Sequence, residues 1–362
     1  MSINIGIIGL SKSGKTTVFN SLTRGTADTS GLTHLGTVKV PDHRLQMLAD
    51  LLHPHKVVAT ELKYIDIGIS GRGSPKTKGI AGQFLAELSE TDALINVVRS
   101  FLNDSIPHEA GSLDIERDIA TMNLELAFSD LTVIERHVQK LEESLKAAKA
   151  AERQAFVREQ QLMNKLQESL EKEISIREII MTPEEQKIIT GFRFLTAKPL
   201  LIVVNIGETQ LTQAKEIEDK LNSNYSRPHC RFITICGKVE MELTQLDDEA
   251  AASFRADFGI TEPGLDRVIK ASYEMLKLVT FYTIASSEVR AWPVPLATEA
   301  VKAAGKIHSD MERGFIRAEV ISFEDLVKCG SITEARKHGL LKLEGKTYIV
   351  RDGDVITFLF NV

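Results

Sequence analysis

The sequence predicts an α/β protein built on a mostly parallel sheet, and three observations carry that prediction. Short, almost wholly apolar runs such as residues 3–10 (INIGIIGL) and 199–205 (PLLIVVN) read as strands buried on both faces. They alternate with helix-like stretches, the pattern of a sheet covered by helices. A glycine-rich segment stands between the first run and the first helix, where a strand-to-helix turn belongs.

The elements follow in order. Residues 16–23 read as the first helix, and residues 62–67 and 93–98 as further strands. Residues 112–182 contain neither Gly nor Pro, and charge is dense there. Within them Leu131, Ile134, Val138, Leu141, Leu145 and Ala148 step alternately by three and four, the seam of paired helices. Phe156, Met163, Leu166 and Leu170 mark a second arm. This predicts an antiparallel coiled-coil hairpin inserted into the α/β domain, because the strand at 199–205 resumes afterwards. Beyond about residue 278 the texture changes to short alternating pieces at 280–284, 288–292, 318–321, 341–343, 347–350 and 355–360, with Asp352-Gly353-Asp354 as a turn. The expected domains are therefore 1–128 with 196–278, an insertion at 129–195, and an α+β module at 279–362.

Composition excludes several classes. With 43% apolar and 26% charged residues, the chain is neither disordered nor collagen-like. No apolar run reaches the length of a membrane span, and Met1-Ser2-Ile3-Asn4-Ile5-Gly6 lacks the features of a signal peptide. Cys230, Cys236 and Cys329 are too few and scattered for a disulfide framework or zinc site. The expectation is a cytoplasmic protein, monomeric, with no membrane and no DNA partner. A net charge of −6 argues against a simple basic nucleic-acid binder. The excess acid lies in the middle: residues 111–278 carry 22 Lys/Arg against 29 Asp/Glu, while both ends are nearly balanced.

Gly9-Leu10-Ser11-Lys12-Ser13-Gly14-Lys15-Thr16 fits G-x-x-x-x-G-K-[ST], the P-loop of nucleotide-triphosphate enzymes. Its glycines let backbone N–H groups wrap phosphate, and the helix start adds its positive dipole end. Lys15 would reach the β- and γ-phosphates, and the Thr16 hydroxyl would ligate Mg²⁺. Lys12, Ser13, Gly14, Lys15, Thr16 and Thr17 are thus candidate nucleotide-binding residues.

Further motifs carry a family resemblance over essentially the whole chain. Val40-Pro41-Asp42-His43-Arg44-Leu45, Tyr64-Ile65-Asp66-Ile67, Glu90-Thr91-Asp92-Ala93-Leu94, Thr196-Ala197-Lys198-Pro199 and Asn205-Ile206-Gly207-Glu208 stand in the order of the Obg-like YchF ATPases. Glu288-Val289-Arg290-Ala291-Trp292, Ala304-Gly305-Lys306-Ile307-His308 and residues 312–320 resemble that family's C-terminal TGS domain, of ubiquitin-like type. The resemblance implies a translation-factor-class P-loop fold, hydrolysis that prefers ATP to GTP, and association with the ribosome or its RNA. It places Asn205, Ile206 and Glu208 at the base, in an N-x-x-E loop, with Cys236 and Gly237 beside them. A carboxylate at Glu208 would face the lone pair on adenine N1, so Asn205 and the Ile206 backbone are expected to meet the adenine amino edge.

The chain departs from the family pattern in three places. Ile69 stands where the γ-phosphate sensor has Gly, with Gly68 one place earlier, although Asp66 can still hold a Mg²⁺-bound water. The first switch is shortened, and Thr33 is its expected metal ligand, with Ser30 as runner-up. Lys12 replaces a common Asn and could supply an internal cation. His108, on the loop where the family carries its candidate catalytic histidine, is the expected water-positioning residue beside Asp66. Arg72, Lys76 and Lys78 form a basic segment at the second switch. Three functions fit: an ATP-hydrolysing ribosome-associated switch of slow turnover, a degenerate nucleotide-binding adaptor, or a GTP-specific switch.

Overall fold

The computed structural model describes residues 3–25, 33–67, 82–103, 105–108, 110–225, 228–260, 262–285 and 287–361. It forms two compact units, one of Ile3–Thr37 with Lys63–Val268 and one of Val38–Leu62 with Ile269–Val362.

The larger unit is organised on a six-stranded sheet in the order Thr33–Lys39, Glu61–Ile67, Ile3–Ile8, Ala93–Ser100, Leu200–Ile206, Cys230–Ile235. The last four of these strands pair in parallel, from Ile5↔Ala93 through Ile95↔Leu201 to Ile202↔Phe232. Leu200–Ile206 is buried at every position, which is why its sequence shows no polar alternation. Helices cover this sheet with Met122, Leu126, Leu221, Val239 and Leu243 in one apolar cluster.

Two long helices, Ile115–Ala147 and Ala150–Glu171, are joined by two residues and pack on each other. Ile134 and Leu141 of the first meet Leu162, Met163, Leu166 and Leu170 of the second, with Leu131, Val138 and Phe156 partly buried beside them. The first helix begins well before residue 129: its N-terminal turns, through Ile119, Met122 and Leu126, belong to the core on the sheet. Continuous helix thus runs from sheet packing into the helical pair.

Asp130 ties that pair to the strand that follows. It is 2% exposed and accepts hydrogen bonds from the Leu195 N–H (2.9 Å), the Thr196 N–H (2.7 Å) and the Thr196 hydroxyl (2.6 Å). Burial pushes its carboxyl upward, against the pull of these three donors. Lys198, two residues on, donates to the Ser89 carbonyl (3.0 Å) and to that of Thr91.

The smaller unit carries a sheet in the order Lys342–Glu344, Phe315–Ser322, Asp354–Phe360, Leu278–Ile284, Glu288–Pro295, Lys56–Val58. Residues 347–350, expected as a strand, form only a bridge between Ile349 and Glu299. Of the nine residues between Glu344 and Asp354, turns at 346–347 and 352–353 take four, leaving too short a run for a paired strand. Lys56–Val58 joins from far away in sequence, pairing in parallel with Glu288–Arg290. Before it, helix His43–Leu52 buries Leu45 and Leu48 against Tyr282, Val289, Ala291 and Phe323.

Polar contacts fix this helix start. Asp42 caps it by accepting from the Arg44 N–H (3.0 Å), and the Tyr282 hydroxyl donates to the same carboxylate. Arg44 Nη1 donates to Asp352 Oδ2 (2.6 Å), while Asp352 Oδ1 accepts from the Thr280 N–H (2.8 Å). Burial, then the Asp42 carboxylate, hold the Tyr282 phenol well above its ordinary range, so it stays a donor.

Replacing Asp130 by Ala leaves two buried N–H groups and a hydroxyl without acceptors, at a cost of about 3 kcal/mol. Urea or thermal unfolding of Asp130→Ala should show that loss; an unchanged midpoint would mean the three donors find other partners. Arg44→Ala should cost less, about 1–2 kcal/mol, because its partner Asp352 is half exposed and rehydrates.

Candidate functional site

The site grows from the turn between strand Ile3–Ile8 and helix Lys15–Leu22. Gly9 (φ +152°) and Gly14 (φ +91°) occupy conformations that favour glycine. A Cβ on Gly9 would stand 2.4 Å from the Val97 carbonyl, and one on Gly14 would stand 2.2 Å from Asn205 Nδ2. Lys12 takes φ +60° without being glycine, a cost of roughly 1–2 kcal/mol that the loop's remaining contacts absorb, and its side chain is exposed. Ser13 is buried, its hydroxyl without a hydrogen-bond partner.

Lys15 lies along the loop, donating to the carbonyls of Gly9 (2.7 Å) and Leu10 (3.1 Å). The Thr16 hydroxyl donates to Asp66 Oδ2 (3.2 Å). Asp66 sits near the end of strand Glu61–Ile67 at 3% exposure, and its Oδ1 is buried without a hydrogen-bond partner. A hydroxyl and a carboxylate are hard oxygen donors, and the orphaned Oδ1 leaves the pair short of positive charge. These residues fit a divalent cation of the Mg²⁺ type. His34 is a neighbour that sequence reasoning missed: its Nδ1 lies 3.6 Å from Asp66 Oδ2, brought there by the pairing of strands far apart in sequence.

Asn205 ends the buried strand Leu200–Ile206 and is 4% exposed. Its Nδ2 donates to the Ser13 carbonyl (3.1 Å), and its Oδ1 accepts from the Gly237 N–H (2.9 Å). The residue expected at the adenine edge thus also clamps the phosphate loop to the next loop. Ile206 is buried at the strand end.

A cavity of about 450 Å³ opens beside the clamp, within the range of small-ligand pockets. Gly14, Thr17, Phe101, Ile106, Glu208 and Cys236 line it. Arg99 shapes one wall: it donates to the carbonyls of Phe101 (3.1 Å) and Ile106 (2.8 Å), and its guanidinium lies 4.5 Å from the Phe101 ring centroid. Burial pushes the Cys236 thiol up, so it lines the cavity as a neutral group. At the rim Lys238 Nζ meets Glu208 Oε1 at 2.7 Å. Lys238 closes the Cys236-Gly237-Lys238 loop, which the family resemblance sets beside the base; its pairing with Glu208 is what the sequence left unseen.

Two expected residues are engaged by other partners. The Thr33 hydroxyl donates to Glu87 Oε2 (2.5 Å). His108 has both ring nitrogens engaged, Nε2 with Asp118 Oδ2 (2.8 Å) and Nδ1 as acceptor of the Ala110 N–H (3.1 Å). Positioning water would require it to leave Asp118. Ser30, Gly68, Ile69, Arg72, Lys76 and Lys78 fall outside the described residues.

Asn205→Ala should weaken ATP and GTP binding by a similar factor, about tenfold, because it loosens the loop that both triphosphates share. Displacement of a fluorescent nucleotide measures this, and a loss confined to ATP would mark Asn205 as a base reader instead.

Comparisons with known proteins agree along the whole chain. The family model YchF-GTPase_C, described as a protein of unknown function (DUF933), matches residues 278–361. A ribosome-binding ATPase YchF of Bacillus subtilis (strain 168) is 39% identical over 370 residues, covering all of both chains. Its counterpart in Escherichia coli O157:H7 is 38% identical over 374 residues with the same coverage. The solved structure of the Schizosaccharomyces pombe YchF GTPase, 27% identical, superposes with a TM-score of 0.85 over 99% of this chain and 98% of that one. Similar from end to end in sequence, and alike in fold to the yeast protein, the chain belongs to the YchF family.

Proposed function

We propose that this protein is a ribosome-associated switch that binds and hydrolyses ATP, and GTP less well. The carrying observation is the Gly9–Gly14 turn, held by Asn205 directly beside the cavity that Glu208 and Cys236 line. Phosphates would lie on the backbone N–H groups of that turn, with Lys15 exchanging its two carbonyl partners for phosphate oxygens. Thr16 and Asp66 would hold Mg²⁺, which supplies positive charge against the β- and γ-phosphates. The purine would enter the cavity against Phe101 and Ile106.

The helical pair is proposed as a coiled-coil arm, and residues 279–362 as a TGS-type domain, each a ribosome-facing part. The family's curated members bear the name ribosome-binding ATPase, and that binding is the partner proposed here. Because the chain as a whole is acidic, docking would rest on local basic positions such as the exposed Arg317 and Lys342, and would weaken with salt.

A second reading, a nucleotide-binding adaptor that scarcely turns over, gains from two contacts. Thr33 is bonded to Glu87 and His108 to Asp118, and each would have to give up that bond to serve the nucleotide. Single-turnover hydrolysis with purified protein, with and without ribosomes, separates the two readings.

ATP should bind more tightly than GTP, and Lys15→Ala should reduce the affinity for both at least tenfold, since charged hydrogen bonds are worth about 1.5–3 kcal/mol each. Competition against a labelled analogue tests this; a tenfold preference for GTP would overturn the ATP assignment. Charge reversal at Arg317 and Lys342 should lower co-sedimentation with ribosomes severalfold at low salt while leaving ATP affinity unchanged.

A further inference from the structure

The rim of the purine cavity carries one side chain whose placement helix stability does not explain. Lys238 sits in the first turn of helix Gly237–Leu243, where the helix dipole disfavours a cation. Two carboxylates offset that: Glu208 Oε1 at 2.7 Å and Glu242 Oε1 at 4.0 Å. All three residues line the same cavity, and all three are substantially exposed at its mouth. The hydrogen bond to Glu208, followed by the charges of Glu208 and Glu242, pushes the Lys238 ammonium upward, so it stays charged.

Purine chemistry gives this pair a consequence. Guanine presents its N1–H beside an exocyclic amine, two adjacent donors that one carboxylate can accept together. Adenine presents an amine beside the N1 lone pair, so a lone carboxylate gains one hydrogen bond and meets one repulsion. A carboxylate already bonded to an ammonium is a different reader. Part of its accepting capacity is taken, its charge is offset, and the ammonium keeps N–H groups that suit a ring acceptor.

We propose that Lys238 is a specificity-determining residue: by holding Glu208 in an ion pair at the cavity rim, it withdraws that carboxylate from guanine and favours adenine. The proposal rests on the reading of this cavity as the purine site. Lys238 acts chiefly through Glu208, which makes it a positioning residue whose effect depends on its partner.

The test is a double-mutant cycle on nucleotide choice. Dissociation constants for ribose-labelled ATP and GTP analogues are measured on the full chain unsubstituted, as Lys238→Met, as Glu208→Gln and as the double variant. Lys238→Met should lower the preference for ATP over GTP about fivefold, with GTP binding more tightly. In the Glu208→Gln background the same substitution should move the preference less than twofold. An unmoved preference in Lys238→Met, or an equal shift in both backgrounds, overturns the proposal while leaving nucleotide binding intact. Failure of the unsubstituted protein to bind either analogue overturns the purine-site reading and the proposal together.

Discussion

A loop of backbone N–H groups recognises phosphate only while its shape is fixed, and here one buried amide fixes it. Asn205 reaches from the end of the central strand to the Ser13 carbonyl on one side and the Gly237 N–H on the other. Three loops separated by nearly the whole larger unit meet at that side chain. Its approach is possible only because position 14 has no Cβ. The strand beneath, buried at every residue, supplies the rigidity that an amide clamp needs.

The site meets its ligand as an exchange. Lys15 is bonded to two loop carbonyls, Thr16 to Asp66, and Lys238 to Glu208. These three side chains would have to give up partners within the protein to meet a triphosphate. The net gain per contact is then the modest difference between two hydrogen bonds, typically about 1 kcal/mol. Affinity must come from many such exchanges made together, with the phosphate charges adding most.

How much of this was legible in the sequence follows the physics of each feature. The P-loop is local: strand, glycine turn and helix start are consecutive, so pattern and geometry coincide. The buried strands around Asn96 and Val203 were equally plain, because burial on both faces removes polar residues from the run. What the sequence hid is long-range. His34 reaches Asp66 through strand order, and Lys56–Val58 pairs with a strand more than two hundred residues away. His108 looked like a mobile loop histidine; only the fold brings Asp118 against it. Asn205 was recognised by its motif, but its partners Ser13 and Gly237 are visible only once the three loops converge.

The divided smaller unit carries a consequence for the birth of the molecule. Helix His43–Leu52 and strand Lys56–Val58 are synthesised early, yet the sheet that buries Leu45 and Leu48 begins only at Leu278. At elongation rates of about 5–20 residues per second, the early segment waits on the order of 10–40 seconds for its other half. Throughout that interval the apolar face of Leu45 and Leu48 stands without the side chains that cover it in the folded unit. Completion of this unit therefore waits on the strands from Leu278 onward, while the strands between residues 63 and 235 are free to assemble first.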